Sequence, residues 1–190
     1  ALAIMSGTAM AAGLGCLAWD RARRLARFAT ALTSMAHDVT EGNPRCFDPR
    51  LDALKPHAGT RTVTQWLRDD IEHVERNEDR RSVDPGVLRC APQVLGVLVD
   101  AAHGLAEALQ VELSSVTDAP VVHPTTGELL VGGNSHGAHL AFALDGLKGA
   151  LAAVVGLLER QLALVCDPEA NRGLPRDLVA DPVAGRPGFR

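Results

Sequence analysis

Apolar residues recur at helical spacing in three long stretches of the chain, and the polar segments between them read as loops. The first stretch runs from Leu14 to Val39. Within it Leu17, Leu25, Phe28, Leu32 and Met35 fall near one stripe, and Arg21, Arg23, Arg24 and Arg27 occupy the remainder. Gly42 followed by Asn43-Pro44 predicts its end, since glycine accepts a left-handed cap and proline cannot continue a helix. Arg45 to Gly59 then reads as a loop, after which Thr60 or Thr62 caps a shorter helix running to about Val74. Glu75 to Pro85 mixes both charge signs and reads as a solvated segment in its first half. The second long stretch, from about Val87 to Leu113, places Val94, Leu98, Ala101, Leu105 and Leu109 at helical spacing. Ser114 to Gly133 is loop-like, with a short hairpin around Pro124-Thr125-Thr126-Gly127. A third helix runs from about His136 to Val165 and stops before Asp167-Pro168.

The pattern predicts an all-α fold, a bundle of long near-parallel helices. Helices of about 25 residues exceed the globular mean of about 11–12. Such helices cannot bury all their apolar surface within 190 residues, so packing against partner chains is expected.

Composition narrows the kind of core. Hydrophobic residues make up 46% of the chain, yet aromatics make up 3% and tyrosine is absent. The interior is therefore built from Ala, Leu and Val, which suits closely packed helices. A net charge of −4 gives no general electrostatic case for nucleic acid or an anionic membrane. Cys16, Cys46, Cys90 and Cys166 are scattered without a Cys-x-x-Cys pair. That favours reduced thiols and a cytoplasmic protein over a disulfide framework or zinc site. Ala1 to Ala18 is apolar but has no basic segment ahead of it, unlike a signal peptide. Ala138 to Val165 is interrupted by Asp145, Lys148, Glu159 and Arg160, whereas a membrane span needs about 20 nearly uncharged residues. The chain opens in mid-pattern and ends without a closing element, so a natural subunit, a processed product and a fragment all remain open.

Several short strings then occur in a fixed order. They are Ser6-Gly7-Thr8, Phe47-Asp48-Pro49-Arg50-Leu51, Lys55-Pro56-His57, and Asp84-Pro85 with Leu88-Arg89-Cys90-Ala91-Pro92-Gln93. After these come Glu112-Leu113-Ser114-Ser115, Thr117-Asp118, Gly132-Gly133-Asn134-Ser135-His136-Gly137, Asp167-Pro168 and Asn171-Arg172-Gly173-Leu174-Pro175. Together they resemble the central part of the aromatic amino-acid ammonia-lyases, the family of histidine and phenylalanine ammonia-lyases and related aminomutases. The resemblance spans nearly the whole chain.

It implies an all-α homotetramer in which each active site draws on more than one subunit. It also implies a methylidene-imidazolone electrophile made from an internal Ala-Ser-Gly triplet. That triplet lies upstream of the Ser-Gly-Thr region in the family, and none occurs in this chain. The prosthetic-group domain is thus expected to be absent here. A partner chain or an upstream segment would have to supply the group.

At the family's site positions the chain departs from the pattern. Ser6 stands where the resemblance implies Asn, Val83 replaces Gln, Gly86 replaces Tyr, and Ser135 replaces Phe. A hydroxyl cannot donate and accept from separate atoms as a carboxamide can, and Gly86 lacks a phenol that could move a proton. Arg89 is kept. In the family the matching Arg holds the substrate carboxylate, for which a guanidinium fork is suited. Ser6 and Ser135 are accordingly the candidate catalytic groups, and Arg89, Val83, Gly86 and Asn134 the candidate substrate-binding ones.

Blander readings stand beside these. Arg89 could be a structural ion pair near a helix start, and the substitutions could be drift. His136 and His139 lie i, i+3, a spacing that can present two imidazoles, but no third ligand is evident and no metal is expected. His57 belongs to the Lys-Pro-His string, and Glu107 and Glu112 read as helix-surface or packing residues. No Gly-x-Ser-x-Gly elbow and no phosphate loop occur. The expectation is a subunit or fragment of an ammonia-lyase-like enzyme with altered chemistry: elimination, addition or cyclisation on a carboxylate-bearing or amino-acid-derived small molecule. In it Ser6 and Ser135 would line a more open, more polar pocket. A second chain would complete a tetramer-like assembly without nucleic acid or membrane. The alternative is a non-catalytic subunit that stabilises or regulates a partner. The Ala- and Arg-rich composition points to a bacterial source.

Overall fold

A computed structural model of the chain describes residues 5–71, 83–179 and 188–189. Three long helices carry the fold: α1 (Ala9–Val39), α5 (Ala91–Ser114) and α6 (Ala138–Cys166). Between them lie a 3-10 turn (Pro44–Phe47), α2 (Pro49–Leu54), α3 (Ala58–Ile71) and α4 (Gly86–Arg89). A two-residue antiparallel hairpin pairs β1 (Val121–Val122) with β2 (Leu129–Leu130), with Val121 opposite Leu130. The three helices and the hairpin fall within a few residues of where the hydrophobic pattern puts them. The predicted end of the shorter helix at Val74 lies outside the described residues, as does the polar run from Glu75 to Ser82.

The buried face of α1 is not the one its large apolar residues suggest. Ala12, Ala22, Ala26, Ala29, Thr30, Thr33, Ala36 and His37 are buried, whereas Leu17, Phe28 and Met35 are more than half exposed. Small side chains let neighbouring backbones approach closely, and close approach decides which face goes inward. The buried hydroxyls do not compete with this packing. Thr30, Thr33, Ser34 and Thr40 each donate to the backbone carbonyl four residues earlier, at 2.7–3.1 Å.

α1 ends in a Schellman motif. The Gly42 amide donates to the His37 carbonyl at 2.7 Å, and the Glu41 amide donates to the Asp38 carbonyl at 2.9 Å. The left-handed residue is Glu41 (φ 51), not Gly42 as the sequence suggests. Gly42 is needed for a different reason: a Cβ there would sit 2.4 Å from His37 Nε2. The predicted loop that follows is largely helical. Asn43 accepts from the Arg45 amide to cap the 3-10 turn, and Asp48 accepts from the Arg50 amide to cap α2, each with proline at the first turn.

The chain divides into two compact units. The first contains residues up to Arg24 and Asp100–Gly149. Its core includes Ala12, Ala22, Leu105, Leu109, Leu140 and Leu147, and a Cβ on Gly15 would lie 2.9 Å from a Leu109 methyl. The second contains Leu25–Val99 and Ala150–Arg190. There Val63, Leu67, Leu88, Leu95, Leu98 and Val154 are fully buried. A Cβ on Gly96 would come within 2.5 Å of the Thr60 amide nitrogen, so α5 and α3 touch at backbone distance.

Much apolar surface stays outside. Leu14, Leu17, Phe28, Met35, Val97, Val111, Phe142, Val155 and Leu162 are all exposed. By length and composition alone Gly86–Ser114 and Ala138–Cys166 are apolar enough to cross a bilayer, with mean hydropathy of 1.4 and 1.7.

Candidate functional site

In the first unit the Ser6-Gly7-Thr8 string lies against the segment after α5. Ser6 Oγ donates to Asp118 Oδ1 at 2.6 Å, and Thr8 Oγ1 donates to Glu112 Oε2 at 2.6 Å. The Thr8 amide reaches Thr117 Oγ1 at 3.4 Å. Gly7 makes this possible: its φ is +70°, and a Cβ would overlap the Thr117 carbonyl oxygen at 2.0 Å. Glu112, read from sequence as a surface or packing residue, therefore holds the string in place.

Ser6 is consequently not a free hydroxyl. Its proton is directed at Asp118, whose carboxyl is lowered from its ordinary value of 3.8, chiefly by that bond and then by the Ala119 amide. A carboxylate made a weaker base does not strip the serine proton; it orients the hydroxyl, leaving the Oγ lone pairs to accept. Asn134 Nδ2 donates to the Val116 carbonyl at 3.3 Å, tying the glycine-rich string to the same segment. Ser135 is exposed and makes no hydrogen bond among the described residues. His136 and His139 are both exposed and form no metal-capable group with other described residues.

In the second unit, Val83 to Arg89 alternates between residues that hold the backbone and residues that face outward. Asp84 and Leu88 are buried. Asp84 Oδ2 accepts the Asn43 amide at 2.7 Å and lies 3.6 Å from His37 Nε2 and 3.7 Å from Cys46 Sγ. Burial opposes ionisation of this carboxyl, but His37, the Asn43 amide and Cys46 outweigh it and hold its pKa below 3.8. Gln161 Nε2 donates to the Val87 carbonyl at 3.0 Å while its Oε1 accepts from Thr33 Oγ1 at 3.2 Å. α4 is thereby fixed to both α1 and α6 in this unit. Val83, Gly86 and Arg89 face outward: Val83 is 66% exposed, and among the described residues nothing lies within 4 Å of where a Gly86 side chain would begin. The Arg89 guanidinium is exposed and makes no hydrogen bond or ion pair among the described residues.

Thus the two serines and Asn134 belong to the first unit, and Val83, Gly86 and Arg89 to the second. One group of functional character escaped the sequence reading altogether. His37, Cys46 and Asp84 bring a nitrogen, a sulfur and an oxygen within 4.8 Å of one another. All four cysteines are free. Burial and then the Asp84 carboxylate push the Cys46 thiol up to about 12. The separations between these three residues along the chain leave no motif. The available signals were a histidine on the small-residue face of α1 and a cysteine just ahead of the α2 cap.

The model of the family described as aromatic amino acid lyase matches residues 1–189. A histidine ammonia-lyase from Bradyrhizobium diazoefficiens is 37% identical over 186 residues, covering 95% of this chain and 36% of that protein. The structure of histidine ammonia-lyase from Trypanosoma cruzi superposes with a TM-score of 0.87 at 31% identity, over 99% of this chain and 35% of the other. Pantoea agglomerans phenylalanine aminomutase gives a TM-score of 0.89 at 27% identity, over 99% of this chain and 40% of that one. The chain spans about a third of the length of the curated relatives it matches.

Proposed function

This chain belongs to the aromatic amino acid lyase family, and from that premise we propose that it is a subunit or fragment of an ammonia-lyase-like enzyme with altered chemistry. The reaction is an elimination, addition or cyclisation on a carboxylate-bearing, amino-acid-derived small molecule. The carrying observation is Arg89, an exposed guanidinium without a partner among the described residues. It stands on a turn held rigidly by buried Asp84 and Leu88. A cation left unpaired on a fixed backbone is prepared for a mobile anion, and its planar fork matches a carboxylate.

The altered chemistry is read from the other candidate positions, Val83 and Gly86 in the same unit as Arg89, and Ser6 and Ser135 in the first unit. Val83 has an apolar side chain, and among the described residues nothing lies within 4 Å of where a Gly86 side chain would begin, where the family resemblance implies a phenol. Ser6 presents an oriented acceptor in place of a carboxamide, and Ser135 presents a hydroxyl unengaged among the described residues in place of an aromatic ring. These residues do not fit a methylidene-imidazolone made by this chain, which has no Ala-Ser-Gly. No step is assigned to that group. The exposed apolar faces of α1, α5 and α6 are read as surfaces covered by further protein, in a multi-chain, water-soluble assembly.

The test is carboxylate binding and turnover by the purified protein across a panel of amino acids and their derivatives, followed by NMR and calorimetry. Deamination of histidine, phenylalanine and tyrosine is expected to be absent. For a bound acid, Arg89→Ala is expected to weaken binding about 10- to 100-fold, the equivalent of losing a charge-assisted pair worth about 1.5–3 kcal/mol. If Arg89→Ala changes neither carboxylate binding nor activity, the site reading fails. A scaffold subunit that stabilises its partner is then the better description.

A further inference from the structure

We propose that His37, Cys46 and Asp84 form a binding site for one zinc-class divalent cation, with His37 Nε2, Cys46 Sγ and both Asp84 oxygens as donors. The site does not depend on the functional reading above. It lies inside the second unit, on residues that face inward.

The donor atoms already stand close to metal-ligand spacing. Asp84 Oδ2 lies 3.6 Å from His37 Nε2 and 3.7 Å from Cys46 Sγ, and all three donor atoms lie within 4.8 Å of one another. Around tetrahedral zinc, bonds of about 2.0–2.3 Å place neighbouring donors roughly 3.3–3.8 Å apart. Two of the three edges already have that length, and the third closes with a small side-chain movement.

Two of the donor atoms, His37 Nε2 and Asp84 Oδ1, also lack a hydrogen-bond partner. Among the described residues three buried side-chain polar atoms have no hydrogen-bond partner: His37 Nε2, Asp84 Oδ1 and Asn171 Oδ1. Two of these three belong to this cluster. His37 is 1% exposed and Asp84 4%. Leaving such atoms unsatisfied in the interior is costly, more so where the group is charged. A cation bound between them uses both, the two Asp84 oxygens sharing one vertex of the coordination shell.

Chemistry selects the cation. A thiolate, an imidazole and a carboxylate suit zinc or cobalt, not magnesium or calcium, which take oxygen ligands. On binding, the metal forms a bond to Cys46 Sγ and the thiol proton passes to solvent. The cation's two positive charges then cancel the thiolate and the carboxylate, so the buried site is neutral. The surroundings are built to hold the ligands. The Asn43 amide donates to Asp84 Oδ2 at 2.7 Å, and the Phe47 ring packs 5.2 Å from the His37 ring centre. Gly42 closes over the imidazole edge with no room for a Cβ. A bound cation would clamp the end of α1 to the turn that begins α4.

The test uses the intact purified protein, stripped with a chelator and titrated with Co2+ alone. One equivalent per chain is expected, with intense visible bands of tetrahedral cobalt and a near-ultraviolet thiolate-to-cobalt band that zinc abolishes by displacement. Cys46→Ser removes the thiolate band, His37→Gln and Asp84→Asn weaken cobalt binding at least 10-fold, and Cys90→Ser leaves the spectrum unchanged. Should the ligand variants fail to fold, zinc protection of Cys46 from alkylation, mapped by mass spectrometry on the unaltered protein, carries the decision. Absence of cobalt uptake, a thiolate band that survives Cys46→Ser, or alkylation of Cys46 at the same rate with and without zinc each overturns the site.

Discussion

The carboxylate of Asp84 is ionised in the interior because the Asn43 amide, His37 and Cys46 together offset the cost of burying it. That balance has a definite consequence for stability. A carboxyl held below its ordinary value of 3.8 contributes stability above that pH, and the contribution is lost as pH falls through the lowered value. Urea unfolding of chelated protein is therefore expected to weaken as pH drops from about 5 toward 3. In Asp84→Asn the same curve is expected to be flatter, with a loss of about 1.5–3 kcal/mol at pH 6, where the wild-type carboxylate is charged. An unchanged acid limb in the variant would show that Asp84 contributes nothing to it. Gly7 is the other residue whose identity is dictated locally. Its left-handed φ of +70° and the 2.0 Å overlap awaiting a Cβ predict that Gly7→Ala costs about 2–3 kcal/mol. Thermal unfolding measures this, and Gly86→Ala, with open space around it, serves as the near-neutral control. Arg89, Val83 and Gly86 were legible as candidate site residues because a dense string surrounds them. The hydrogen bond from Ser6 to Asp118 was not, since it joins residues 112 positions apart.

Helices were the easiest elements to read, and their inward faces the hardest. In α5 the pattern and the packing agree: Leu98, Leu105 and Leu109 are both the periodic residues and the buried ones. In α1 they disagree, because alanine and back-bonded threonine allow closer approach than leucine or phenylalanine. Periodicity finds a helix from its large residues, and here those residues face away from the described core. α2 was read as loop because it has six residues, too few for a periodic signal, although Asp48-Pro49 is a capping pair. Backbone contact between elements carries its own prediction. Gly96→Ala would push a methyl group to 2.5 Å from the Thr60 amide, and neither backbone can yield easily. A loss of about 1–3 kcal/mol is expected, read as a lower midpoint in denaturant at unchanged slope. A variant as stable as the wild type would mean that α3 and α5 separate without cost.

At the scale of the whole molecule the decisive quantity is the apolar surface that this chain leaves uncovered. Phe28, Met35, Phe142 and Val155 are each at least 63% exposed, on helices of 31 and 29 residues. Large apolar side chains exposed in this number belong against protein or lipid. The charged residues on the same helices, among them Arg27, Asp145 and Lys148, favour protein, since an isolated charge at the centre of a bilayer costs about 2.5–3.5 kcal/mol or more. The protein is therefore expected to stay in the aqueous phase without detergent and to sediment as a multi-chain particle. Placing a charge on each face, in Phe28→Glu with Phe142→Glu, is expected to weaken association at least 10-fold, because buried aromatics dominate such interfaces. Analytical ultracentrifugation of wild type and variant over a concentration series measures it. A wild-type particle of single-chain mass would leave these faces solvated and remove the case for partner chains. Recovery only in the detergent fraction would assign them to lipid instead.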